Sequence, residues 1–197
     1  MTAPSSASAS RLPTLFLNTA LFQAGWFAVV LGAARGRPWS GMAAALGLSA
    51  IHVLAAQERR HELLLGLTAG ALGFTVDTLL QAAGVLAFDT GRVVPWLAPP
   101  WLIALWVQFA SLLRFSLRWL DRRPVLAGFL GLVGGPAAFL SGERLGAVTF
   151  PAGTPVALGT LALVWAAVTP LLLSLAAHLA GGAGEGRYRV ATAVPAR

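Results

Sequence analysis

No cysteine and no lysine occur in the 197 residues of this chain, and charge of either sign is scarce. The missing cysteine excludes disulfides and thiolate catalysis. Charged residues make up 11% of the chain, whereas a soluble domain averages about 25%. So little charge leaves too little polar surface for a sizeable soluble domain. The three histidines, His52, His61 and His178, are not paired at ligand spacing on one helix; no His-x-x-x-His occurs, and the single Glu58-x-x-His61 lacks a second such pair, so no metal site is expected. Nucleophile elbows, phosphate loops and zinc motifs are also missing. No cofactor is called for.

What is present is apolar sequence. Hydrophobic residues make up 57%, and the mean hydropathy is +0.74. The reading is an all-α, polytopic membrane helix bundle of about six transmembrane helices. A span needs roughly 20 apolar residues. The candidate segments are Leu12–Ala34, Trp39–Ala56, Glu62–Phe88, Ala98–Leu120, Val125–Gly142 and Val156–Ala180. The second and fifth are at the short end. Residues 12–180 form one transmembrane domain, between a disordered tail at residues 1–11 and a flexible tail at 181–197.

The net charge of +7 comes from fourteen arginines. They are scattered through short loops rather than gathered on one soluble face, so nucleic acid is not the expected partner. They do report orientation. With the N-terminus inside, Arg11, Arg59, Arg60, Arg118, Arg122, Arg123, Arg187, Arg189 and Arg197 lie inside, against Arg35, Arg37, Arg92 and Arg144 outside. This asymmetry places both termini in the cytoplasm.

The segment Glu62–Gly84 organises the rest. At 100° per residue, Glu62, Gly66, Gly70, Gly73, Asp77, Gln81 and Gly84 share one stripe, while leucines cover the other faces. Small residues let a neighbouring helix approach closely. Asp77 stands out because an ionisable group at membrane depth costs at least ~2.5 kcal/mol and finds a partner in the bundle interior. Its functional reading is a proton-handling or substrate-orienting acid, set against a structural acid bonded to its neighbours. The fifth span has a similar small face, with Gly128, Gly131, Gly135, Ala138 and Gly142. Pro170 predicts a kink in the sixth span, and Gly134-Gly135-Pro136 a break in the fifth.

The pattern Asn18-x-x-x-Phe22-Gln23-x-x-Trp26-Phe27 continues with His52, Asp77, Pro100-Trp101-Leu102, Leu105-Trp106, Phe109-Ala110, Ser116-Leu117-x-Trp119-Leu120, Gly135-Pro136 and Leu145-Gly146-Ala147. It resembles a family of small proteobacterial inner-membrane proteins classed as a domain of unknown function. The resemblance covers the chain from Asn18 to about Ala167. It implies a multi-span protein of the bacterial inner membrane and supplies no activity.

The candidate ligand-binding residues are Asn18, Gln23, Trp26, His52, Glu62, Asp77, Gln81 and Arg114. They are expected in two polar layers. Asp77, Gln81 and Gln23 form the deep one. Asn18, His52 and Glu62 lie nearer the cytoplasm, with Arg114 joining them from inside the fourth span. The expected partners are membrane lipids, an amphiphilic small-molecule ligand, and a second copy or another membrane protein. The first function class is a membrane protein binding or moving a lipid-like molecule in a polar intramembrane pocket. The second is an intramembrane enzyme acting on a lipid or isoprenoid, with Asp77 and His52 as acid and base.

Overall fold

The structure, a computed structural model, describes the backbone of residues 11–56 and 58–191 and the side-chain surroundings of 16–56 and 58–179. Residues 1–10 and 192–197, read above as parts of the tails, lie outside the described residues. Among the described residues six helices follow one another: α1 (Arg11–Ala34), α2 (Pro38–Ala55), α3 (Arg59–Ala82), α4 (Trp101–Leu113), α5 (Pro124–Arg144) and α6 (Thr154–Ala191). A 3₁₀ turn, Arg118–Leu120, stands between α4 and α5. There is no strand among the described residues; a single bridge pairs Ala87 with Thr149. The last helix continues to Ala191, beyond the Ala180 end expected from hydropathy.

Among the described residues five helices are long and apolar enough to cross a membrane, including α2 and α5, the two that looked short. The short helix is α4. Its 13 residues reach about 20 Å at 1.5 Å per residue. The apolar run Ala98–Leu120 is therefore α-helical only over its middle, Trp101–Leu113. Pro99 and Pro100 delay the helix start, since proline cannot donate to a preceding turn. At the other end Arg114 is the C-cap, and Phe115 and Leu117 both turn back onto the Leu112 carbonyl, at 3.2 and 2.8 Å.

The third span is also shorter than its apolar run. Gly84 has φ +69°, a left-handed conformation open to glycine at little cost. Its amide bonds to the Gln81 carbonyl and that of Val85 to the Leu80 carbonyl, both at 2.9 Å, so a Schellman turn stops α3 at Ala82. Gly146 ends α5 in the same way, with φ +86°. The residues beyond these stops form a folded cap. The Ala87 and Thr149 backbones exchange bonds of 3.0 and 2.9 Å, the Thr90 hydroxyl donates to the Ala33 carbonyl, and Trp101 Nε1 donates to the Thr90 carbonyl.

Packing divides the bundle. Helix α1 lies against α2 and α4, α3 lies against α4, and α5 packs mainly on α6, which docks on α3 and α4. The interior is built from small residues and the exterior from large ones. Gly41, Ala45 and Ser49 of α2 are buried, while Phe16, Leu67, Val125 and Leu163 are 78%, 69%, 87% and 73% exposed. A water-soluble monomer rarely shows large contiguous apolar patches; an apolar solvent removes their cost. The chain is an integral membrane protein. Both internal prolines leave their helices continuous: α5 runs through Pro136 and α6 through Pro170.

Candidate functional site

The chemistry gathers at two levels of the bundle. At the end where α1 begins, the polar groups form an ionic cluster. Arg114 Nη1 donates to Glu62 Oε1 at 2.8 Å, and its Nη2 donates to Glu58 Oε2. His52 Nε2 lies 3.3 Å from Glu62 Oε2, and the His52 ring meets Phe115 edge-on. Burial of Glu62 requires such pairing, since an isolated carboxylate out of water is costly. Arg114 therefore does not sit inside a span as expected from the sequence; it closes the end of α4 against α3. The same guanidinium holds the Glu58 carboxyl below the ordinary value of 4.5, chiefly through its hydrogen bond.

Beside this cluster Asn18 joins two segments. Its Nδ2 donates to the Ser111 carbonyl at 3.2 Å, and its Oδ1 accepts from Ser116 Oγ at 2.7 Å. Gln108, which the sequence reading passed over, is equally interior. Its Nε2 donates to the Ala45 carbonyl at 2.6 Å, and Gly25 leaves the room its amide occupies. An amide within an apolar run was the available signal.

Asp77 lies at the second level, 1% exposed. Its Oδ2 accepts from Trp106 Nε1 at 2.8 Å, while Oδ1 has no hydrogen-bond partner among the described residues. The Trp106 ring stacks on Trp165 with centroids 4.7 Å apart and planes 8° from parallel. Phe109 meets Trp165 edge-on. Glycines make room for both indoles: a Cβ at Gly73 would fall within the Trp106 ring, and one at Gly135 within Trp165. Gly131 lies as close to the Trp165 carbonyl and to Thr169. The small faces of α3 and α5 thus seat an aromatic pair contributed by α4 and α6.

A cavity of about 770 Å³ opens beside this pair. Phe22, Gln23, Trp26 and Phe27 of α1 line it, as do α5 residues between Leu130 and Arg144, among them Gly131, Gly134, Gly135 and Phe139. Asp77, Trp106, Trp165 and Thr169 also face it. Most of the lining is apolar or aromatic, and its charged members are Asp77 and Arg144.

Of the sequence-predicted residues, Gln23, Trp26 and Asp77 line the cavity. The others do not. Gln81 is held from its Nε2 to the Leu97 carbonyl at 3.0 Å and faces a smaller cavity of about 400 Å³ with Arg92 and Trp96. Asp77 takes Trp106 as its partner, not Gln23, because α4 rather than α3 packs on α1. His52 belongs to the ionic cluster, so no hydrogen bond joins it to Asp77. Among the described residues no group of histidine, aspartate and glutamate side chains is arranged to hold a metal.

No curated protein and no solved structure matches the chain. Residues 15–171 match the model of a protein family described as "Protein of unknown function (DUF2878)", and the chain belongs to that family.

Proposed function

We propose that this membrane protein binds or moves an amphiphilic, lipid-like molecule in the cleft between α1 and α5. One observation carries the reading: Asp77, a buried carboxyl with an unpartnered oxygen, lines a cavity walled mostly by apolar and aromatic side chains. Ligand sites are commonly ~300–1,000 Å³, mostly apolar, with a few placed polar groups, and the cleft's 770 Å³ lies in that range. The acid–base pairing of Asp77 with His52 draws no support from their hydrogen bonds, which lead to different partners. The arginine asymmetry supports a bacterial cytoplasmic membrane with both chain ends on the cytoplasmic side.

The test is identification by mass spectrometry of molecules that stay with the protein through purification in mild detergent, alongside Gly134→Trp. Gly134 lines the cleft, and a Cβ there meets nothing within 4 Å. The added indole should fill the cleft without disturbing the helices. Loss of a co-purifying amphiphile at unchanged melting temperature is the expected result. An identical set of bound molecules in both proteins would sink the reading.

A further inference from the structure

Two buried oxygens on the cleft wall have no hydrogen-bond partner among the described residues: Asp77 Oδ1 and Thr169 Oγ1. Both residues are nearly inaccessible, at 1% and 3%. Buried polar groups are hydrogen-bonded in the great majority of cases, so an unpartnered pair on two residues that line one cavity asks for an occupant. Thr169 departs from the habit of its own chain. Thr68, Thr75 and Thr160 return their hydroxyls to the carbonyl four residues earlier, at 2.8, 2.9 and 2.9 Å. Thr169 does not, and Gly131 is packed tightly against its hydroxyl and the Trp165 carbonyl. Asp77 is oriented as firmly, because Trp106 holds Oδ2 and is itself held by Trp165 and by the space at Gly73.

Resting on the cleft reading above, we propose that the occupant is an uncharged long-chain amphiphile whose hydroxyl is held at the free oxygen of Asp77, beside Trp106. Three features select an uncharged head. A carboxylate or phosphate brought to Asp77 would set acceptor against carboxyl on a buried wall that carries no cation; Arg144, the cleft's other charged lining residue, is exposed at the end of α5. An ammonium head brings three donors to a wall with one free carboxyl oxygen, and its desolvation would go largely uncompensated. A hydroxyl can accept or donate one bond, which is what Asp77 offers, and its chain then lies along the aromatic lining. Thr169, one turn beyond Trp165, adds a second neutral hydrogen-bonding group on the same wall.

The experiment uses the full chain in detergent micelles and three matched long-chain probes: an alcohol, a carboxylate and a primary amine. Each carries a photoreactive diazirine in its chain, and labelled residues are mapped by mass spectrometry. The alcohol should label cleft residues at a concentration about fivefold lower than either charged probe, the factor expected for one net hydrogen bond. Asp77→Leu should remove that advantage. Asp77→Asn should keep it, since an amide still bonds an uncharged head. Should Asp77→Leu fail to fold, the probe comparison in the native protein decides alone. Cleft labelling by the carboxylate or the amine at the alcohol's concentration overturns the uncharged head and leaves the cleft reading standing. So does an unaltered preference in a folded Asp77→Leu protein. Labelling confined to the outer helix faces by all three probes overturns the cleft reading, and this one with it.

Discussion

The indole of Trp106 lies flat on that of Trp165, with centroids 4.7 Å apart and planes within 8° of parallel. One ring belongs to α4 and the other to α6, so the stack joins the helix pair α5–α6 to the rest of the bundle. Each ring occupies space that a glycine vacates: Gly73 for Trp106 and Gly135 for Trp165. Filling either space displaces an indole and breaks the stack. Gly73→Leu and Gly135→Leu should each destabilise the protein by about 1–3 kcal/mol or more, as overpacked cores do. Gly134→Leu, next to Gly135 but facing open space, should melt like the native chain. Melting temperatures in detergent check the contrast, and equal values for Gly134→Leu and Gly135→Leu would refute it.

The chain's path fixes which loops share a side of the membrane. The ionic cluster brings the end of α2, the start of α3 and the end of α4 together, while the Thr90–Ala33 and Ala87–Thr149 bonds gather the opposite loops. A reporter inserted between Arg35 and Pro38 should therefore read opposite to one at Arg197. From the arginine asymmetry, the reporter at Arg197 is expected to read cytoplasmic. Activity of a periplasm-dependent reporter at Arg197 would reverse that orientation.

Helix existence was legible in the sequence because twenty-residue apolar runs have few other uses. Helix ends were less so. Hydropathy does not separate a helix from a buried apolar loop, so Val85, Leu86 and Phe88 read as the tail of a span although they pack as the cap beyond Gly84. The 3.6-residue period correctly put Glu62, Gly66, Gly70, Gly73 and Asp77 on one face, and all five are buried. It could not name their partners, because helix-to-helix register depends on where α4 starts and stops. Reckoning by depth paired Asp77 with Gln23 of α1. Helix α4 stands between α1 and α3, and its Trp106 takes the place. Trp106 was visible in the sequence only as one member of the motif Leu105-Trp106.

The Asp77–Trp106 bond gives a further expectation. Asp77→Leu leaves the Trp106 N–H buried without an acceptor, a loss of about 1–3 kcal/mol. Asp77→Asn keeps an oxygen within reach and should cost less. The order of melting temperatures is native, then Asn, then Leu. A Leu variant as stable as the native chain would mean that the indole does not depend on this acceptor.

The ionic cluster makes the most specific prediction. Arg114→Met removes the cation shared by Glu58 and Glu62. Glu62, with 4% of its side chain exposed, is left with His52 alone, and breaking a buried pair from one side costs about 3–5 kcal/mol. Glu58 is more exposed and matters through pH. Arg114 holds its carboxyl below the ordinary 4.5 in the folded protein. A carboxyl depressed on folding stabilises fully above its unfolded value, and that contribution is lost as pH falls through the folded value. Glu58→Gln should therefore melt below the native protein near neutral pH, with the gap narrowing as the pH drops below about 4.5. His61 lies 3.6 Å from Glu58, and His52 faces Glu62; both also titrate, so the difference between native and variant, rather than either curve, isolates Glu58. In an Arg114→Met background the same Glu58→Gln gap should be smaller at neutral pH and should vary less with pH, because only the weaker lowering by His61 remains. A gap that keeps its full pH dependence without Arg114 would show that the depression of Glu58 has another source.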